Sequence, residues 1–146
     1  MKRFNVRVYG ICIQEGKILV TDELRSGMKM TKFPGGGLEF GEGLANGLKR
    51  EWQEELAAEI EVGDIFYVNP FLQISAFCKQ DEVMGVYFWV KAKSPLKGIF
   101  TDKPMSFVSE ENDQQLFRWL DIKALKESDF TFPIDQAVVL KLKQHF

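Results

Sequence analysis

The sequence predicts an α/β fold in which a mixed β-sheet lies between helices, an α/β/α sandwich. The evidence is a series of β-rich runs, one segment of helical periodicity, and the run Val83–Val90, which is apolar at nearly every position. A run of that kind is typical of a strand covered on both faces, and helices would provide the cover. The length of 146 residues suits one core, so we expect a single domain over residues 1–146.

The chain opens with two β-rich runs, Phe4–Ile13 and Lys17–Asp22, separated by the turn-like Gln14-Glu15-Gly16. This arrangement predicts a β-hairpin. The following segment, Arg25–Phe40, is rich in glycine and lysine and contains a proline. That composition predicts a loop, because glycine disfavours a helix interior.

A helix is predicted from about Gly43 to Ala58. Its apolar residues recur at every fourth position, which is the spacing of one helical face, so we expect that face to belong to the core. These residues are Leu44, Leu48, Trp52 and Leu56.

Further strand-like runs lie at Ile60–Val68, Phe71–Lys79 and Val83–Lys93. The polar turn Gln80-Asp81-Glu82 separates the last two, which predicts a second hairpin. Ser94–Gln115 has two prolines, a glycine and no sustained period. An irregular segment of that length in a small domain is usually functional or mobile, so we expect it near the active site.

The last part of the chain predicts one short strand and two helices. Phe117–Leu120 suits the strand, Asp121 suits the N-cap of a short helix reaching Ser128, and Pro133 suits the first turn of a final helix ending near Phe146.

The composition excludes several classes of function. A net charge of −2 provides no positive field for duplex nucleic acid, and no apolar run is long enough to span a membrane. The N-terminal stretch lacks a small-residue cleavage site, so we expect no secretion signal and a cytoplasmic protein. Cys12 and Cys78 lie in apolar runs, which is typical of buried free thiols and does not indicate a disulfide or a zinc site.

Three glutamates lie on one flank of the predicted helix. Glu51 is three positions before Glu54 and four before Glu55. A solvated acidic face is the ordinary interpretation of such a cluster. However, the glycine-rich segment Phe33–Glu42 precedes the helix, and glycines allow close approaches and carbonyl orientations that a Cβ would block. Carboxylate and carbonyl oxygens are the ligands that Mg²⁺ prefers. A metal site is therefore a second interpretation.

The spacing of these residues resembles the signature of the Nudix hydrolase family. Gly36 is followed after five residues by Glu42 and after seven more by the segment 50–58, which reads Arg-Glu-Trp-Gln-Glu-Glu-Leu-Ala-Ala. Six of the seven fixed polar or glycine positions match. The departure is Ala57, where the family usually has a glycine. If that glycine normally ends the helix in a left-handed conformation, Ala57 would cost about 1 kcal/mol or let the helix continue.

The resemblance implies a Nudix-type α/β/α sandwich and a set of site residues. It implies Mg²⁺ or Mn²⁺ as the cofactor and an ion pair between Glu42 and Arg50 as a structural brace. The implied metal ligands are the Gly35 carbonyl and the carboxylates of Glu51, Glu54 and Glu55. Family members often recruit a further glutamate from a late loop as a ligand or base. Glu111 is our candidate for this catalytic role, with a solvated loop charge as the alternative.

Three residues are candidates for substrate binding. Arg25 could contact a phosphate, Phe33 could stack on a nucleobase, and Asp135 could bond to a base edge. Core packing is an equal alternative for Phe33. The aromatic side chains in the run 87–89 are better explained as sheet core, because large aromatics dominate cores.

The implied reaction is the hydrolysis of a nucleoside diphosphate-linked compound. A compact chain of this kind resembles the nucleoside triphosphate pyrophosphohydrolases (MutT-like enzymes), which give a nucleoside monophosphate and pyrophosphate. The alternatives are an ADP-ribose or nucleotide-sugar pyrophosphatase and a non-catalytic module that binds a nucleotide. ADP-ribose hydrolases tend to have a proline where this chain has Ile74. Family members are often dimers, and the apolar residues of the stretch 99–108 suit a homodimer interface or a lid.

Overall fold

Seven strands and two α-helices account for most of the chain. In chain order they are β1 (Arg3–Gln14), β2 (Lys17–Arg25), β3 (Met28–Lys32), β4 (Gly35–Gly37), α1 (Leu44–Leu56), β5 (Ile60–Val68), β6 (Asp81–Ala92), β7 (Gln114–Asp121) and α2 (Pro133–His145). Two short 3₁₀ helices, Ile122–Ala124 and Glu127–Asp129, lie between β7 and α2.

The computed structural model describes all residues, Met1–Phe146, and divides into two compact units. The first unit consists of Met1–Cys12 and Pro34–Lys97. The second consists of Ile13–Phe33 and Gly98–Phe146.

The first unit contains a mixed sheet with β1 and β6 at its centre. These two strands run parallel, with Arg3 opposite Asp81 and Cys12 opposite Val90. Both strands also have an antiparallel neighbour, β4 beside β1 and β5 beside β6. The central strand β6 is buried from Gly85 to Phe88, so the prediction of a strand covered on both faces holds for its middle, whereas Met84 within the predicted run is 43% exposed.

Helix α1 packs its predicted apolar face against this sheet. Leu48, Trp52 and Leu56 are fully buried, and Leu44, the fourth predicted position, is half-buried. The Trp52 ring lies so close to β1 that a Cβ on Gly10 would be 2.8 Å from it, so glycine makes the contact possible. Truncating a buried Trp of this kind to Ala typically costs roughly 3 to 5 kcal/mol.

The second unit is organised around β2. Gln14 at the end of β1 pairs with Lys17 at the start of β2, which confirms the predicted first hairpin. β2 also pairs antiparallel with β3 and with β7. Pro133 occupies the first turn of α2, where its missing N–H is tolerated. The helix buries Ile134, Val138, Val139 and Leu142.

The prediction of one continuous loop over Arg25–Phe40 is wrong, because β3 and β4 lie within it. Ser26 and Gly27 both have positive φ, 52° and 75°, and form the two-residue reversal that pairs Arg25 with Met28. The abundance of glycine and lysine obscured a short strand in which Met30 and Thr31 are buried.

The predicted strand Phe71–Lys79 is also wrong. This segment has a single isolated bridge, Ile74 to Glu82, and Asp81 belongs to β6 instead of a hairpin turn. Side chains bond to the local backbone in its place: the Asn69 amide nitrogen donates to the carbonyls of Phe71 and Val83, and the Ser75 hydroxyl accepts from the amides of residues 77 and 78. Such bonds compete with strand pairing.

The last segments follow the prediction in part. Residues 94–113 have neither helix nor a named strand, and β7 includes the predicted Phe117–Leu120. The predicted helix up to Ser128 is replaced by the two 3₁₀ turns, although the Asp121 side chain does accept a hydrogen bond from the amide of Lys123. Neither α1 nor α2 combines the length and the apolar character that a membrane-spanning helix needs.

Candidate metal and active site

The end of α1 is set by Ala57, the residue that departs from the family signature. Ala57 adopts a left-handed conformation, with φ 46° and ψ 39°, and its amide donates to the Gln53 carbonyl. The helix therefore stops where a glycine would have stopped it, and the alternative of a longer helix is wrong. An alanine in this conformation is strained, because its Cβ crowds the following carbonyl.

The glycine strand β4 lies directly against β1. Gly35 has a φ of 155°, and a Cβ on it would overlap the Val8 carbonyl oxygen. The Trp52 indole nitrogen donates to the Pro34 carbonyl at 3.3 Å, so the same buried ring that anchors α1 also holds the entry to this strand. The strand and the helix are thus fixed relative to each other by packing and by a hydrogen bond.

Arg50 on α1 joins the helix to the glycine-rich segment. Its Nε is 3.0 Å from Oε2 of Glu42, and its Nη2 is 2.7 Å from Oε1 of Glu42 and 2.9 Å from the Gly37 carbonyl oxygen. This fork-like geometry is the strong form of an arginine–carboxylate pair. The bond from Arg50 lowers the pKa of Glu42, and the bond to Glu42 raises the pKa of Arg50.

The remaining nitrogen of Arg50, Nη1, contacts further carboxylates. It is 3.1 Å from Oε1 of Glu51, 3.3 Å from Oε2 of Glu54 and 3.6 Å from Oε1 of Glu39. Glu39 was not singled out by the sequence, because it is not one of the signature positions. The sequence signal that could have identified Glu39 was its position three residues before Glu42, in the segment that precedes Arg50.

The three signature glutamates differ in exposure. The Glu51 side chain is 14% exposed and the Glu54 side chain 58% exposed. Glu55 is half-buried, with Oε2 fully buried. One carboxylate of the cluster therefore faces solvent, while the other two lie in places of lower polarity, where bonds to a cation are stronger.

No three acidic, histidine or cysteine side chains are arranged so that they could hold a metal ion in this structure. In this structure Glu51 and Glu54 contact the Arg50 guanidinium. The donor set nevertheless fits a hard cation: carboxylates adjoin a glycine strand, and the absent side chain of Gly36 leaves room for the Glu51 carboxylate. The roles of Gly35, Glu51, Glu54 and Glu55 as ligands remain predictions.

The other predicted site residues lie in the second unit. Arg25 is exposed, and its Nη2 is 3.6 Å from the Glu23 carboxylate. Asp135 is buried in the first turn of α2. Glu111 is exposed in the irregular connection, where its amide donates to the Ser109 hydroxyl at 3.2 Å.

The suggestion that Phe33 stacks on a nucleobase is corrected by its burial. Phe33 is 0% exposed, and its ring stacks on that of Phe130 with 4.6 Å between centroids. It belongs to the core of the second unit, as its alternative interpretation stated. Tyr87 and Phe88 are also core, and Trp89 is half-buried.

A buried ion pair in the second unit was not predicted. Arg118 donates to Asp22 at 2.7 Å and 3.1 Å, and Thr31 donates to the same carboxylate at 2.6 Å. Asp22 also accepts from the Met105 amide at 3.0 Å and so fixes one point of the irregular connection. The available signal was Arg118, a charged residue inside the otherwise apolar run Phe117–Leu120.

Comparison with known proteins shows the family. A NUDIX domain profile matches residues 1–142, so the chain belongs to the Nudix family, whose hydrolases act on nucleoside diphosphate-linked compounds. The prediction of a Nudix pyrophosphohydrolase is confirmed at this level. No curated protein matches the chain.

Solved structures show the fold. The Escherichia coli ORF135 protein is similar with a TM-score of 0.72 and 18% identity, covering 98% of this chain and 91% of its own. A MutT protein from Methanosarcina mazei has a TM-score of 0.69 and 17% identity, covering 99% and 96%. An ADP-ribose pyrophosphatase from Streptococcus suis has a TM-score of 0.57 and 14% identity, covering 96% of this chain and 92% of its own. The predicted Nudix-type sandwich with a mixed sheet is confirmed.

Proposed function

We propose that this protein hydrolyses nucleoside triphosphates to a nucleoside monophosphate and pyrophosphate, using Mg²⁺ or Mn²⁺. The observation that carries the proposal is the gathering of signature carboxylates beside a glycine strand: Glu51 and Glu54 both lie within 3.4 Å of one nitrogen of Arg50. Five acidic side chains in the segment 39–55 also form a site that would repel a polyphosphate unless cations were bound. We also propose a single cytoplasmic domain, in which the apolar stretch 99–108 serves as a homodimer interface or as a lid.

The residues that would hold the metal are Glu51, Glu54, Glu55 and the Gly35 carbonyl. When bound, divalent ions supply a lowered pKa for water and neutralise phosphate oxygens. In the hydrolytic step, the water oxygen forms a bond to phosphorus, the anhydride P–O bond breaks, and a carboxylate accepts the proton. Glu54 is exposed enough to do so, and Glu111 is the second candidate. The pair Glu42–Arg50 positions the glycine-rich segment against the helix.

In the second unit, Arg25 and Asp135 are proposed to contact the substrate. Arg25 has an exposed guanidinium for a phosphate group. Asp135 is buried in the first turn of α2, so its proposed contact requires the base edge to enter the interior of the second unit. Phe33 is left out of this proposal, since its ring is buried against Phe130.

The test is turnover by the purified protein with Mg²⁺ and a panel of nucleoside triphosphates, nucleotide sugars and dinucleotides. Released pyrophosphate and phosphate are measured for the wild type and for Glu54→Gln. Glu59→Gln is the matched control, since it removes an exposed glutamate just beyond α1. We expect pyrophosphate from triphosphates, a decrease of at least roughly 100-fold in Glu54→Gln, and wild-type rates in the control.

Other outcomes contradict the proposal in distinct ways. Turnover restricted to ADP-ribose or nucleotide sugars would replace the substrate class and keep the metal site. Saturable nucleotide binding without any product would indicate a non-catalytic module. Equal rates in the wild type and in Glu54→Gln would remove the glutamate cluster from the reaction.

A further inference from the structure

The guanidinium of Arg50 is held rigidly on one side. Its Nε and Nη2 are bound to Glu42, and Nη2 also donates to the Gly37 carbonyl. A guanidinium is planar, so fixing two of its nitrogens fixes the third. Nη1 therefore stays in place, and any rearrangement around it must come from the side chains that it contacts.

Those side chains are the carboxylates of Glu51, Glu54 and Glu39, at 3.1, 3.3 and 3.6 Å from Nη1. Glu51 and Glu54 are signature positions. A divalent cation bound by these two carboxylates would compete with Nη1 for the same oxygens. The Arg50 side chain is only 22% exposed, so a loss of both partners would leave the N–H groups of Nη1 poorly solvated, although Glu42 still pairs with the charge.

Glu39 is placed to compensate for that loss. Its carboxylate approaches Nη1 from the glycine-rich segment, whereas Glu51 and Glu54 approach from α1. Its backbone amide donates to Oε1 of Glu42 at 2.9 Å. The segment that carries Glu39 is thus attached to the same ion pair that fixes Arg50, and it can remain in contact while the helix carboxylates turn away.

We propose that Glu39 is a positioning residue of the metal centre: it remains the partner of Arg50 Nη1 when Glu51 and Glu54 turn to a divalent cation, and thereby raises the metal affinity without contacting the metal. The inference rests on the metal-dependent function proposed above. The expected effect on metal affinity is that of losing a partly exposed ion pair, so removing the charge of Glu39 weakens metal binding roughly two- to fivefold.

The test measures the binding of Mn²⁺ alone, from the electron paramagnetic resonance signal of the free ion. The proteins are the wild type, Glu39→Gln, Glu39→Asp and the control Glu59→Gln, each checked for folding by its thermal transition. We expect a two- to fivefold higher Kd for Glu39→Gln, recovery of at least half of that change in Glu39→Asp, and no change in the control. An unchanged Kd in Glu39→Gln overturns the proposal.

A double-mutant cycle separates positioning from direct ligation. Methionine has no charge and no N–H donor in its side chain, so in an Arg50→Met background the change Glu39→Gln has no further effect on the Kd. The same loss in both backgrounds would mean that Glu39 contacts the metal itself and would overturn the proposal. The proposed function is tested separately: if the wild type binds Mn²⁺ and Glu54→Gln does not, the metal centre stands whatever Glu39 does. Absence of Mn²⁺ binding by the wild type would overturn both.

Discussion

The carboxylate of Glu51 lies against the backbone of Gly36, so that a Cβ on Gly36 would be 2.5 to 2.7 Å from all three carboxylate atoms. Heavy atoms do not approach this closely without a bond, so a side chain at position 36 and this position of Glu51 are incompatible. Gly36 of the signature therefore leaves space for the Glu51 carboxylate. It is not required here to form a turn.

Gly36→Ala should lower activity while leaving the fold nearly unchanged. The clash is with the end of a flexible side chain, so Glu51 moves and the backbone remains. Displacing a metal-binding carboxylate or its immediate support typically costs 10- to 100-fold in metal affinity or activity, and we expect roughly that decrease in kcat/KM. Turnover and the thermal unfolding transition are measured on the same preparation.

The neighbouring Gly37→Ala is the matched control. A Cβ on Gly37 would lie 3.6 Å from Arg7 Nη1, an ordinary contact distance. We expect activity within a few-fold of the wild type. Equal losses in the two variants would show that the strand tolerates no side chain at all, and the specific relationship with Glu51 would be rejected.

The ion pair between Glu42 and Arg50 should make stability depend on pH in the acidic range. The bond from Arg50 lowers the pKa of Glu42 below its ordinary value of 4.5, so the folded state favours the ionised form. The resulting stabilisation is fully present above the unfolded-state pKa and is lost as the pH falls through the lowered folded-state pKa.

The measurement compares the free energy of unfolding of the wild type with that of Glu42→Gln across pH. We expect a constant difference above about pH 5 that shrinks steadily at lower pH. A difference that stayed constant down to the acid limit of folding would contradict the assignment of this carboxylate as ionised and paired with Arg50.

The sequence could predict those elements whose periodicity and side chains agree with the final packing. The buried positions of α1 and residues 85–88 of β6 follow their sequence patterns, whereas Leu44 is half-buried and Met84 is 43% exposed. The strand β3 depends on pairing with β2, which no local pattern reveals. The run Phe71–Lys79 has strand-like residues, but Pro70 and the bonds of Asn69 favour a different backbone path.

For the candidate site, the sequence spacing could indicate which residues lie close together. It could not indicate which contacts they make. The fixed intervals from Gly36 to Glu55 identify the cluster because a helix brings i, i+3 and i+4 together. The contact of Glu39 with Arg50 and the burial of Phe33 depend on the path of the glycine-rich segment and on packing in the second unit. Those are tertiary properties without a periodic signal.

Ala57→Gly should stabilise the protein. Ala57 is exposed and has a left-handed conformation that costs an alanine about 1 kcal/mol and costs glycine almost nothing. We expect the free energy of unfolding to rise by about that amount, reduced somewhat by the greater freedom of glycine in the unfolded chain. Denaturant titration measures the change.

The control for that substitution is Ala45→Gly in the first turns of α1, where the backbone is helical. Glycine there should destabilise the protein by roughly 0.5 to 1 kcal/mol. Destabilisation of similar size in both variants would mean that the left-handed conformation of Ala57 is not maintained in solution.

Asp22→Asn should be the most destabilising of these substitutions. Asp22 is 0% exposed and is bound by Arg118 at 2.7 Å, so neutralising it leaves the buried guanidinium without its counter-charge. Breaking one side of a buried ion pair typically costs roughly 3 to 5 kcal/mol. The exposed pair Lys29–Glu110 is the control, and Glu110→Gln should change stability by less than about 0.5 kcal/mol.

Because Asp22 also accepts from the Met105 amide, hydrogen exchange at that amide should become faster in Asp22→Asn and stay unchanged in Glu110→Gln. A loss of stability below about 1 kcal/mol, with unaltered exchange at Met105, would show that water or a rearranged Arg118 replaces the carboxylate and that the pair does not fix the irregular connection.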